Sequence, residues 1–143
     1  MSEEKLDGTD EQLIRAFEEC KLGPGEFGHA DHVRLVWIML ERMPLLETLE
    51  RLSKGIRRLA NSHGAPRLYH ETITWAFVLL IHERRLAAKG HAWVEFASEN
   101  TDLLEWPSPA LDAYYRPETL KSELARHNFV LPDRHVGTMV SAN

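Results

Sequence analysis

The sequence predicts an all-α fold, a compact single-domain bundle of about five to six helices. Along most of the chain, apolar residues recur every three or four positions, which is the spacing of one buried helix face. Glycine and proline separate these stretches, and the alternation of apolar and polar residues that is typical of strands is almost missing. A length of 143 residues suits one domain. We expect residues 1–9 and 134–143 to be mobile.

The first two helices are predicted on either side of a glycine-rich break. Residues 9–12 have the spacing of a capping box, so a helix is predicted from about residue 10 to residue 21. Residues 23–25 interrupt it. The second helix is predicted to open near Ala30 and to end before the Met43-Pro44 pair, because proline disfavours helical geometry in the preceding residue.

The third and fourth helices are predicted after Pro44. This proline suits the first position of a helix, and leucine and isoleucine then recur at helical spacing up to His63-Gly64. The fourth helix is predicted from about His70 to Lys89, before Gly90. Its middle, residues 73–81, is apolar on every side, which predicts a central helix surrounded by its neighbours.

Shorter elements are predicted in the remainder of the chain. A fifth helix starts near Trp93 and ends at Asn100, before a loop over residues 101–109. A last helix opens at Pro117 and carries apolar residues at helical spacing. Residues 129–132 are extended and apolar, and we expect them to pack back on the bundle.

Charge and composition exclude several classes of partner. The chain carries 17 lysine and arginine residues against 22 acidic ones, a formal net charge of −5, which argues against nucleic acid. It has no apolar run of membrane-spanning length, and its start lacks the features of a signal peptide. The single cysteine, Cys20, is consistent with a reducing compartment. These features predict a cytoplasmic protein that binds a small molecule, and they leave a homodimer open.

Three histidines are the candidate metal ligands. His29 and His32 are one helical turn apart, on a face that they share with apolar residues such as Val36. His70 lies at the start of the fourth helix, on a face with Phe77. Three imidazoles from two helices would leave coordination positions for water or substrate, as in catalytic zinc or iron sites. The alternative is an ordinary network of buried, hydrogen-bonded histidines.

Glu71 is the candidate catalytic residue. It follows His70 by one position, which turns it by about 100° around the helix and disfavours binding to the same ion. It is expected instead to act as a general base on bound water or to orient an imidazole. The alternative is an acidic residue that stabilises the first helical turn.

Four further side chains are candidates for substrate binding. Tyr69 and Tyr115 carry phenol groups that can donate hydrogen bonds to a ligand. Thr74 shares the helix face of His70. Arg126 can clamp an anionic substrate or form an exposed ion pair.

These motifs resemble those of a family of small uncharacterised bacterial proteins. The resemblance rests on the F-x-H-x-x-H motif at residues 27–32, the Y-H-E-T motif at residues 69–72, and residues 114–115 and 125–133. It implies that the three histidines and Glu71 act as one unit, and it supplies no substrate. A looser architectural likeness is to the DinB-like helical bundles, which hold a divalent metal with three histidines. In this sequence two of the three histidines share one helix, whereas in the DinB-like bundles they come from different helices. The likeness is therefore an analogy of architecture.

Two functions follow from these residues. The first is a small metal-dependent enzyme in which a zinc or iron ion, held by the three histidines, activates water or a small molecule. The second is a non-catalytic binding or regulatory module whose histidines form a buried polar network.

Overall fold

A computed structural model describes residues 2–22 and 27–134, and the side chains of these ranges from Asp10 onward. This part of the chain contains α-helices and one 3-10 turn but no strand, which confirms the predicted all-α class. None of its helices is long and apolar enough to cross a bilayer. The break at residues 23–25 lies outside the described residues, and so does the predicted mobile segment at residues 134–143 except for residue 134 itself. The elements are α1 (Ser2–Glu18), α2 (His29–Arg42), α3 (Leu45–Ser62), the 3-10 turn (Pro66–Leu68), α4 (Glu71–Ala87), α5 (Trp93–Glu99), α6 (Thr101–Leu104), α7 (Pro109–Asp112), α8 (Pro117–Lys121) and α9 (Glu123–His127).

The C-terminal half is divided more finely than the sequence predicted. The described ranges contain nine α-helical segments instead of about five to six, since short helices replace the predicted loop and the predicted last helix. Serine caps account for α7 and for the division of the last helix, while α6 begins after Asn100 without a side-chain cap. The Ser108 hydroxyl accepts a hydrogen bond from the backbone of Ala110 at 3.2 Å, which starts α7. Ser122 is extended at ψ 151° and accepts from the backbone of Ala125 at 3.1 Å, which ends α8 and starts α9.

The first helix ends earlier than the predicted residue 21. Its last residue is Glu18, and Cys20 then adopts a left-handed conformation with φ 56°. The backbone of Lys21 donates to the carbonyl of Ala16 at 2.8 Å, which closes the end of the helix. The apolar spacing continues past this point, and it therefore does not reveal the stop.

The fourth helix is the central element, as its sequence predicted. It packs against α2, α3, α7 and α9, and Val78 and Ile81 are fully buried in the middle of the apolar run. Arg84 near its end forms a two-pronged ion pair with Asp102 at 2.6 and 2.8 Å, which holds α6 against it. Because α4 contacts helices on several sides, its position sets the geometry of the cavity described below.

The segment at residues 129–132 packs on the bundle as expected. The ring of Phe129 stacks on Trp75 with 5.0 Å between the centroids. The Tyr115 hydroxyl donates to the carbonyl of Val130 at 2.7 Å, and the backbone of Val130 donates to the Thr72 hydroxyl at 3.1 Å. These bonds join the segment to α4 and to the residues that follow α7.

Gly55 marks a close approach of α3 to α1. A Cβ atom at this position would lie 2.3 Å from Cε2 of Phe17, whose side chain is fully buried. Glycine inside a helix usually costs about 1 kcal/mol relative to alanine. Here the missing side chain makes room for an aromatic ring.

We therefore predict that Gly55→Ala destabilises the protein, against the usual sign for such a change. The expected loss in the free energy of unfolding is about 1–3 kcal/mol, because the added methyl group would force the fully buried Phe17 ring or the α3 backbone to shift. Urea titrations of the single variants and of Gly55→Ala with Phe17→Leu measure it. The double variant should lose less than the sum of the two single changes. A Gly55→Ala variant more stable than the native protein would contradict the packing at this contact.

Candidate functional site

A cavity of about 340 Å³ lies between α2, α3 and α4. The three candidate histidines all line it, so the structure brings them to one pocket. The remaining wall is mostly aliphatic and aromatic. The lining residues are His29, His32, Val33, Val36, Leu52, Ile56, Leu68, His70, Ile73, Thr74, Phe77, Ile81 and Trp106. We refer to this space as the histidine cavity.

His29 is the first residue of α2, and its side chain contacts α6. Its Nε2 atom lies 2.7 Å from the carbonyl oxygen of Leu103, 74 residues along the chain. A carbonyl accepts but cannot donate, so Nε2 carries the proton and Nδ1 of the neutral ring keeps a lone pair. The ring packs edge-on against Phe77 and beside Trp106, at centroid distances of 4.7 and 5.1 Å. Burial lowers the pKa of His29 below its ordinary value, which favours this neutral form.

His32 lies one turn further along α2 and is more strongly shifted. Burial, with a smaller contribution from the neighbouring His29, lowers its pKa from 6.5 to about 4, while Asp31 opposes these effects. Its ring lies 4.2 Å from the ring of Phe27. His32 is therefore an uncharged, largely buried side chain at neutral pH.

His70 has a structural task that occupies both ring nitrogens. It is the N-cap of α4, and its Nδ1 accepts a hydrogen bond from the backbone of Ile73 at 3.1 Å. The opposite nitrogen, Nε2, consequently carries the proton and donates to the carbonyl of Leu120 at 2.6 Å. Burial lowers the pKa of His70, and the charge of Arg126 adds to this effect.

The arrangement of these nitrogens does not fit a three-histidine metal site. A metal ligand needs a free lone pair, and both nitrogens of His70 are engaged in hydrogen bonds. Among the described side chains, those of residues 10–22 and 27–134, no group of three or more histidine, cysteine, aspartate or glutamate residues is placed to hold a metal ion. Binding of zinc or iron by His29, His32 and His70 thus stays a prediction that this arrangement does not support.

Glu71 is separated from the histidine cavity. Its carboxylate accepts hydrogen bonds from the Tyr69 hydroxyl and from Arg57, the latter at 3.2 Å, on the other side of α4. The turn of about 100° between consecutive helical residues accounts for this separation. The structure does not bring Glu71 together with the three imidazoles, so the expected proton transfer at a shared site has no geometric support.

The four candidate substrate-binding residues are divided among three places. Thr74 lines the histidine cavity, and its hydroxyl donates to the carbonyl of His70 at 2.7 Å. Tyr115 lines a separate apolar cavity. Tyr69 and Arg126 line a third, polar cavity on the opposite side of the 3-10 turn. The sequence therefore identified residues of several pockets, of which one contains the histidines.

Two exposed apolar residues of the cavity wall were missed by the sequence analysis. Trp106 is 56% exposed and Leu68 is 71% exposed, and both line the histidine cavity. They lie in connecting segments, where apolar periodicity gives no information about direction. A tryptophan among turn residues was the one available signal, because such a large apolar side chain is unusual in a solvated loop.

Comparisons with protein-family models, with curated proteins and with solved structures found no match to this chain.

We predict that the protein loses stability as the pH falls from about 6.5 towards 4, partly because of His32. In this range the unfolded chain binds a proton at His32 and the folded chain does not, so acid favours the unfolded state. The difference between the pKa of about 4 and the ordinary value of 6.5 corresponds to about 3 kcal/mol. Urea titrations at several pH values measure the effect.

His32→Phe is the informative variant, since it keeps a ring at the site and removes the titration. In this variant, most of the part of the pH dependence of the free energy of unfolding that comes from His32 should be missing. The control is His127→Gln, at an exposed position on α9, which should retain the native pH dependence. Equal pH dependence in the native protein and in His32→Phe would show that His32 is not held neutral by burial.

Proposed function

We propose that this protein is a non-catalytic binding module that holds a small, mostly apolar molecule in the histidine cavity. The single observation that carries the proposal is the cavity of about 340 Å³ with apolar walls and a few inward polar atoms. Small-molecule sites typically occupy about 300–1,000 Å³ and combine apolar walls with a small number of orienting polar groups. Ligand binding is thus the use that best suits its size and lining.

The neutral side chains that line the histidine cavity favour an uncharged ligand. The three imidazoles have lowered pKa values, so at neutral pH they offer no charge to pair with an anion. Nδ1 of His29 retains a lone pair because Nε2 donates to Leu103. A ligand with one O–H or N–H group can donate to this nitrogen while its apolar part contacts Phe77 and Trp106. Phenols and aromatic alcohols have this combination.

A metal-dependent enzyme is the second candidate. The observation in its favour is that His29 Nδ1 is available and that His32 follows one turn later on the same helix. Recruitment of His70 would require loss of at least one of its hydrogen bonds, that from the backbone of Ile73 to Nδ1 or that to the carbonyl of Leu120. This cost makes ligand binding the preferred proposal.

We also propose that the module acts in the cytoplasm. The single cysteine, Cys20, suits a reducing compartment. The acidic net charge of −5 suits a small-molecule ligand better than a nucleic acid.

Titration with 1-naphthol, followed by its fluorescence and by calorimetry, tests the proposal. We expect saturable binding at about one equivalent, weakened about tenfold in His29→Phe, which loses the accepting nitrogen but keeps a ring. His63→Phe is the matched control. His63 also bonds a remote carbonyl, that of Leu22 at 3.0 Å, but does not line the cavity, so the variant should bind as the native protein does.

Titration with zinc and ferrous ions separates the two candidates. One tightly bound equivalent of metal, lost in both His29→Phe and His32→Phe, would favour the enzyme and contradict the binding module. Absence of naphthol binding, or equal loss of binding in His29→Phe and His63→Phe, would contradict the assignment of the ligand to the histidine cavity.

A further inference from the structure

A second cavity, of about 320 Å³, lies on the opposite side of the 3-10 turn and has a different lining. Three arginines, Arg57, Arg67 and Arg126, line it together with Asn61 and His127. They come from α3, the 3-10 turn and α9, so the site is assembled by the fold and not by one stretch of sequence. We refer to it as the arginine cavity.

The positive charge of the arginine cavity is not matched by its own lining. No acidic residue lines it within the described part of the chain. Glu71 reaches Arg57 at 3.2 Å and Glu123 reaches Arg67 at 2.6 Å, each from outside the wall. Ion pairs of such exposed arginine side chains contribute little to stability, so a ligand can replace them at little cost.

Arg126 supplies a charge without an acidic partner in the described ranges. Its Nη1 donates to the backbone carbonyls of Arg67 and Tyr69, the latter at 3.3 Å. Its Nε is buried and has no hydrogen-bond partner among the described residues. These bonds fix the guanidinium beside the cavity, and neutral carbonyls do not cancel its charge.

From this convergence of three guanidiniums in a protein of net charge −5, we propose that the arginine cavity binds the phosphate monoester group of a small molecule. A guanidinium presents paired donors that match two oxygens of an anion. A carboxylate has two oxygens and is satisfied by one such fork. A phosphate monoester has three terminal oxygens and up to two charges, which matches donors that converge from several directions.

The carboxylate of Glu123 shows how the side chains of Arg67 and His127 bind an anion. Both terminal nitrogens of Arg67 contact its two carboxylate oxygens, at 3.3 and 2.6 Å, and Nε2 of His127 lies 3.2 Å from one of them. The bond from Arg67 lowers the pKa of Glu123 to about 2, so this carboxylate stays charged at neutral pH. Glu123 therefore competes with an incoming phosphate for Arg67, and its removal should strengthen binding.

Titration of the full chain with inorganic phosphate and with phenyl phosphate, by calorimetry and ³¹P NMR in a low-salt zwitterionic buffer, tests the proposal. We expect saturable binding that weakens about fivefold to tenfold in Arg67→Gln, and tightening in Glu123→Gln. Arg58→Gln is the matched control. Arg58 adjoins Arg57 on α3 and is exposed, but it does not line the cavity, so its removal should change binding by less than about twofold.

The loss of phosphate binding must depend on the position of the removed arginine and not only on the loss of one positive charge. Equal weakening in Arg58→Gln and Arg67→Gln, or no saturable phosphate binding by the natively folded chain, would overturn the proposal. Circular dichroism and urea midpoints establish that each variant is folded. Vesicles of phosphatidylcholine with and without phosphatidic acid distinguish the source of the group. Binding to phosphatidic acid that is lost in Arg67→Gln supports the site with a lipid monoester as its ligand.

Discussion

Two hydrogen bonds from neutral imidazoles hold together the parts of this fold that define its main cavity. The rings of His29 and His70 donate to the carbonyls of Leu103 and Leu120, at 2.7 and 2.6 Å. Each bond joins the start of a long helix to a distant short helix near the C-terminus. A buried carbonyl without a partner is costly, so these bonds constrain where the short helices can lie.

The same bonds determine the chemistry of the histidine cavity. A neutral imidazole that donates from Nε2 has an unprotonated Nδ1, which can accept a hydrogen bond. This accepting atom has a different partner in each of the two residues. In His70 it caps α4 through Ile73, while in His29 it is available to a ligand. The cavity thus presents the accepting nitrogen of His29 against mostly apolar walls, and the neutral ring of His32 also lines it. This lining is the basis of the proposal that the ligand is an uncharged hydrogen-bond donor.

The residues around the 3-10 turn contribute to two different cavities. Leu68 and His70 line the histidine cavity, whereas Arg67 and Tyr69 line the arginine cavity. The alternation places an apolar pocket and a cationic pocket on opposite sides of one short segment. A change in the conformation of this turn would alter both cavities.

The sequence was sufficient for the helical class, the central position of α4 and the inward direction of the three histidines. Apolar periodicity carries this information because it follows from burial. The partners of the histidines were not predictable, since Leu103 lies 74 residues from His29 and any carbonyl can accept. Glu71 shows that two residues adjacent in sequence need not belong to the same site. It directly follows His70, yet the helical turn directs it to Arg57 and Tyr69.

The most direct test of this account is the tautomeric state of the two key histidines at pH 7. Long-range ¹H–¹⁵N NMR spectra of the imidazole rings distinguish a neutral ring protonated at Nε2 from one protonated at Nδ1 and from the cation. The account predicts the neutral Nε2–H form for both His29 and His70. A neutral Nδ1–H form or a protonated ring at either position would contradict it.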